Sequence, residues 1–153
     1  MDKGVFLFEK VNPNIDFINE ILTLDVRKLD TVLSATISKY ATALSQYLIY
    51  FKAEINKTRV SIHQKQRALD SGVDQVLTKD ILKEYKTKTA AVEYIVSNSQ
   101  FLTTIRTEID LLKEELMRVE GVDRMISDLI ATLKRELTRR DNELYITRKE
   151  RYS

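Results

Sequence analysis

The sequence predicts an all-α fold: two long helices forming a helical hairpin or coiled-coil bundle, accompanied by shorter helices and assembled as an oligomer. Three observations lead there. Pro13 is the only proline and Gly4, Gly72 and Gly121 are the only glycines, so the chain after Pro13 runs almost without backbone punctuation. A leucine/isoleucine seam fills the last third of the chain. A second apolar stripe, Ile37, Ala41, Leu44, Leu48, Phe51, Ile55, Ile62 and Leu69, steps by three, four and seven along the first half.

The elements are read in order. Residues 4 to 11, Gly-Val-Phe-Leu-Phe-Glu-Lys-Val, form a short apolar run ending at Asn12-Pro13, a strand or an extended arm. Ile15 to about Leu24 reads as a short helix, after which Asp25 or Asp30 caps a long helix running to Ser71. Gly72 stands where a left-handed residue would close that helix. Thr78 or Asp80 starts a shorter helix reaching Val96, and Ser97-Asn98-Ser99-Gln100 has the S-x-x-Q form of a capping box for the last long helix. Gly121 falls inside that last helix, as a weak point or a place of close helix approach.

With Leu102 at heptad position a, the a series is Leu102, Ile109, Leu116, Asp123, Ile130, Leu137 and Leu144. The d series is Ile105, Leu112, Val119, Ile126, Leu133 and Arg140, so only Asp123 and Arg140 interrupt the seam. Such a stripe needs a partner helix over its length, because alone it faces water. Leu112, Leu116, Ile126, Ile130 and Leu133 are therefore the candidate oligomerisation residues. Mixed charges flank the seam, and Val122 and Leu129 at position g widen it, favouring a bundle or a higher oligomer over a simple dimer.

Composition narrows the function classes. With 153 residues the chain is one domain's worth: an arm at 1–13, helices with a basic stretch at 14–96, an assembly helix at 97–137 and a basic tail at 138–153. No cysteine is present and His63 is the only histidine, so no metal centre and no cofactor are expected, and His63 reads as a surface residue. No apolar run approaches a membrane span and no signal peptide is apparent, so a soluble chain of a reducing compartment is expected. No phosphate-binding glycine loop and no Glu-x-x-His pattern occurs, and the carboxylates look like solvated helix flanks, which argues against an enzyme.

The net charge of +2 hides an uneven distribution: residues 52 to 67 carry five basic side chains against one acidic, and the last twenty carry seven against four. Lys52, Lys57, Arg59, Lys65 and Arg67 lie on one helix, and the seven- and eight-residue steps between Lys52, Arg59 and Arg67 place those three near one face. A polyanion could follow that face, with Tyr47 or Tyr50 near enough to stack a base. A solvated basic face on a long helix accounts for the same spacing, and Tyr47 and Phe51 suit a core equally well.

The segment Lys65-Gln66-Arg67-Ala68-Leu69-Asp70-Ser71-Gly72 closes the basic helix with a K-x-R pair, a Leu-Asp and a Ser-Gly turn. Beyond it, Tyr94, Ser97, Asn98, Ser99, Phe101 and Leu102 mark a helix–turn–helix junction followed by the long C-terminal helix. On these residues the chain resembles the UvsY family of phage recombination mediators, over residues 45 to 137. The arm Val5 to Val11, the tail after Thr138 and a shorter loop after Gly72 are departures from that family.

The resemblance implies a homo-oligomer, a hexameric or heptameric ring, that binds single-stranded DNA in the host cytoplasm. It would help a phage recombinase displace single-strand-binding protein and nucleate its filament. Lys65 and Arg67 match the family's DNA-binding pair, while Lys52, Lys57 and Arg59 come from helix geometry. Two other classes compete. One is a structural coiled-coil assembly protein, a virion or scaffold component, without specific DNA binding. The other is a chaperone or adaptor for a secreted partner, using the arm Val5 to Phe8.

Overall fold

The computed structural model describes residues 15–153, and the expected N-terminal arm lies outside them. Among the described residues the chain is helical without strands: α1 (Ile15–Leu22), a 3-10 turn (Val26–Thr31), α2 (Ser34–Val76), α3 (Lys79–Glu84), α4 (Lys88–Ser97), α5 (Gln100–Val119) and α6 (Val122–Tyr152). These helices sort into two compact units. One holds the chain up to Glu54 together with Val119–Ser153, and the other is Ile55–Arg118, so α2 contributes to both. No described helix is long and apolar enough to cross a membrane.

In the first unit α1 buries Ile18 and Ile21, and the first half of α2 buries Ile37, Ala41, Leu44, Tyr47 and Phe51, one face at helical spacing. α6 adds Val122, Ile126, Ile130 and Leu133. Phe17 packs against Tyr40 with centroids 5.8 Å apart, and Lys39 Nζ lies 5.4 Å from the Phe17 centroid. Asp25 caps the 3-10 turn by accepting from the Arg27 backbone N–H at 3.0 Å. It does not cap α2, which starts at Ser34 because extended backbone at Val32 ends the turn first.

Arg140, which breaks the seam, ties α6 to the turn. Its guanidinium donates to the Leu29 carbonyl at 3.0 Å, to Ser34 Oγ at 2.9 Å and to Glu136 Oε1 at 2.9 Å. Carbonyls at the end of a helical turn carry partial negative charge, so a cation is the favourable occupant there. The chain expected as a basic tail is helix as far as Tyr152, although every side chain from Asp141 onward is exposed.

The core of the second unit joins Leu69 and Val73 of α2, Ile95 and Val96 of α4, and Leu102, Ile105 and Ile109 of α5. α2 and α5 run antiparallel, since Lys65 meets Glu108 while Gly72 meets Leu102. Gly72 does not end α2. The helix continues to Val76, and a Cβ at residue 72 would stand 2.5 Å from Leu102 Cδ2, so the missing side chain makes room for the tip of Leu102 from α5.

The single helix expected from Thr78 to Val96 is two. Thr78 caps α3 by accepting from Ile81 N–H at 3.3 Å, and Thr87, in extended backbone, caps α4 by accepting from Ala90 N–H at 3.1 Å. The cap of α5 sits two residues beyond the expected Ser97: Ser99 Oγ accepts from Leu102 N–H at 3.2 Å, whereas Ser97 Oγ donates to the Glu93 carbonyl within α4.

The long C-terminal helix is likewise two. Gly121 takes φ +82°, a left-handed conformation that separates α5 from α6, and a Cβ there would meet nothing within 4 Å. Close approach is therefore not its role. Asp123, the other break in the seam, becomes a first-turn carboxylate of α6, where the helix dipole favours it.

Glu136 is 13% exposed and accepts from Arg139 Nη2 at 2.7 Å and from Arg140 Nε at 2.9 Å. These hydrogen bonds, Arg139's foremost, hold its carboxyl down to about 2 from an ordinary 4.5. A carboxylate with a lowered folded-state pKa stabilises the fold above the unfolded value, and that contribution is lost as pH falls from about 4.5 toward about 2. Thermal unfolding followed by circular dichroism should therefore show Glu136→Gln melting below wild type at neutral pH, with the difference closing across that acid window. A pH-independent difference would count against it.

Candidate nucleic-acid interface

The candidate cations are placed by α2. Burial of Ile62, Leu69 and Val73 fixes which face of its second half looks inward, and this sets the direction of everything else on that stretch. At about 100° per residue, Arg59 and Lys57 lie about 80° to either side of Arg67. All three are exposed and have no carboxylate partner among the described residues. Together they make a broad open cationic arc rather than a narrow stripe. Lys52 is also exposed, on the part of α2 that belongs to the first unit, and His63 is a surface residue.

Lys65 is different. Residues two apart on a helix do not face each other, and it turns about 160° from Arg67, toward α5. Its Nζ donates to Glu108 Oε2 at 2.8 Å, with the two side chains 35% and 46% exposed. The K-x-R pair is thus divided into a free guanidinium and an ammonium that already has a counter-ion. Glu108 is legible in the sequence only as a charged flank of the seam; its pairing with Lys65 depends on the antiparallel register of α2 and α5.

Of the aromatic candidates, Tyr47 and Phe51 are 1% and 0% exposed and pack on each other with centroids 6.1 Å apart. They are core. Tyr50 is 49% exposed, in the first unit's part of α2.

The candidate assembly residues divide in the same way. Ile126, Ile130 and Leu133 are 0%, 8% and 0% exposed within the chain itself, whereas Leu112 and Leu116 on α5 are only half-buried. Leu111 and Met117, beside them on the same helix, are exposed.

An open groove of about 550 Å³ in the second unit lies along α2, α4 and α5. Its lining sets Lys88, Arg106 and Lys113 among Asp70, Asp74, Glu93 and Asp110, and Arg106 Nη1 pairs with Glu93 Oε2 at 2.9 Å. Balanced charge of this kind does not suit a polyanion, so the cationic arc of α2 is the better interface. No three metal-ligating side chains come together among the described residues.

An ion pair this exposed is worth no more than about 1 kcal/mol. Lys65→Ala and Glu108→Gln should each lower urea-unfolding stability by less than that, and the coupling between them in a double-mutant cycle should shrink with added salt. A coupling of several kcal/mol would identify the pair as a structural tie that no ligand could borrow. No protein-family model, curated protein or solved structure matches the chain.

Proposed function

We propose that the protein is a non-enzymatic recombination mediator that binds single-stranded DNA as a homo-oligomer. On this reading it acts in the host cytoplasm, helping a phage recombinase onto strands covered by single-strand-binding protein. The observation that carries the binding half is the open arc of Lys57, Arg59 and Arg67 on α2, with Lys65 held beside it by one solvent-accessible carboxylate. The recombination half rests on the resemblance of the K-x-R helix and the junction that follows it.

Phosphate contacts on a single strand each release counter-ions, so a few cations per protomer give weak binding that a multimer multiplies along one strand. Half-buried Leu112 and Leu116, with exposed Leu111 and Met117, are apolar side chains on α5 available to such assembly. The exposed Leu144, Tyr145 and Ile146 on α6 favour the second reading, a coiled-coil assembly protein. That reading needs no DNA.

Fluorescence anisotropy with labelled single-stranded and duplex DNA over a range of salt separates the two. Wild type should prefer single strands, and the triple substitution of Lys57, Arg59 and Arg67 by Ala should flatten the log-affinity slope by about two, at about 0.7 per lost contact. Glu108→Gln, by freeing Lys65, should tighten binding. Equal binding to both forms, unmoved by the triple substitution, would leave the assembly reading.

A further inference from the structure

Outside α2, one stretch of the second unit holds exposed lysines around a tyrosine whose ring packs on a more exposed one. The ten residues from Lys79 to Lys88 hold four lysines, Lys79, Lys83, Lys86 and Lys88, against Asp80 and Glu84. All four lysines are exposed, on the short helix α3, the bend after it and the first residue of α4. In the bend, Tyr85 packs its ring against Tyr94 of α4, with centroids 5.2 Å apart and planes 33° from parallel.

Tyr85 is half-buried, whereas Tyr94 is 46% exposed. The core of the unit does not need Tyr94: α4 buries Ala91, Ile95 and Val96 instead, and the groove is lined by Val92, Glu93 and Val96. Tyr94 therefore presents a ring to solvent with a second ring already holding it in place.

We infer that Tyr94, backed by Tyr85, is a stacking platform for a base of single-stranded DNA, with the strand's phosphates met by Lys83 and Lys86, which flank Tyr85. The inference rests on the proposed function and deepens it. The α2 arc supplies cations, but its buried Tyr47 cannot supply a stacking surface. Charge complementarity selects a polyanion over an apolar partner, and the exposed ring selects a strand whose bases are unpaired. A prepositioned ring loses little freedom when a base stacks on it, and such stacking is sequence-tolerant because every base has a π-face.

Two oligonucleotides of equal length and charge provide the test: oligo-dT and a fully abasic strand. Binding is read by anisotropy with a labelled strand. Stacking is read by tyrosine emission with an unlabelled one, undisturbed because the chain has seven tyrosines and no tryptophan. Wild type should bind oligo-dT about fivefold or more tighter than the abasic strand, and only oligo-dT should quench its emission.

Tyr94→Phe should keep that affinity ratio while showing a smaller quench, a change that a purely structural role would not produce. Tyr94→Leu, which keeps apolar bulk over Tyr85 but removes the flat ring, should bind both strands at the abasic level with an unaltered circular dichroism spectrum. Wild type binding both strands equally through the α2 arc would overturn the platform alone, as would Tyr94→Leu retaining the preference or Tyr94→Phe retaining the full quench. Failure of wild type to bind either strand would overturn the proposed function and the platform with it.

Discussion

Everything in this protein depends on covering one face of α2. A helix of 43 residues with an apolar stripe along it is not stable by propensity alone, because most helical stability in water comes from packing that stripe. In the first unit the unit's other buried residues come from α1, the 3-10 turn, Val119 at the end of α5, and α6; in the second, α4 and α5 pack on the stripe directly. The polar face is then whatever remains, and it is there that Lys57, Arg59 and Arg67 stand in solvent. The cationic arc is thus a geometric consequence of where the core residues fall at 3.6-residue spacing.

The two described glycines that matter solve different problems. At Gly72 the vacant Cβ position is taken by the tip of Leu102, and at Gly121 nothing is nearby but the backbone requires positive φ. A mid-helix Gly costs about 1 kcal/mol against Ala, and a Cβ at Gly72 would have to displace the tip of the Leu102 side chain, so the two effects oppose each other there. Gly121 ends one run of the seam and begins another. α6 accordingly buries Val122 from heptad position g, and leaves Asp123, at position a, to its first turn.

Much of the fold was legible in the sequence because the helix class, the two stripes and the short first helix each rest on residue spacing. What was not legible depended on partners distant in sequence. Gly72 looks like a helix end until Leu102 is placed beside it. Arg140 looks like a flaw in the seam until the carbonyls of the 3-10 turn meet its guanidinium. Ser97 and Ser99 are both suitable caps, and only the observed hydrogen bonds distinguish them. At the candidate site the identity of the cations was legible but their pairing was not, since Glu108 lies forty-three residues from Lys65 in sequence. Tyr94, a residue with ordinary neighbours, gains interest only through its contact with Tyr85 and its exposure.

On the proposed function, the division of the K-x-R pair would set an order of phosphate contacts. A free guanidinium binds a phosphate without losing an earlier partner. An ammonium paired with a carboxylate must exchange one anion for another, and its net gain is the difference between two similar hydrogen bonds. Because the Lys65–Glu108 pair is half-exposed, breaking it costs about 1 kcal/mol or less, well within what a phosphate contact can return. Arg67, Arg59 and Lys57 would then set the affinity of first contact, while Lys65 would join once a strand is already held and its local phosphate concentration is high. On the proposed function, such an order would let a strand be engaged reversibly, since the Glu108 carboxylate on α5 stands ready to take Lys65 back.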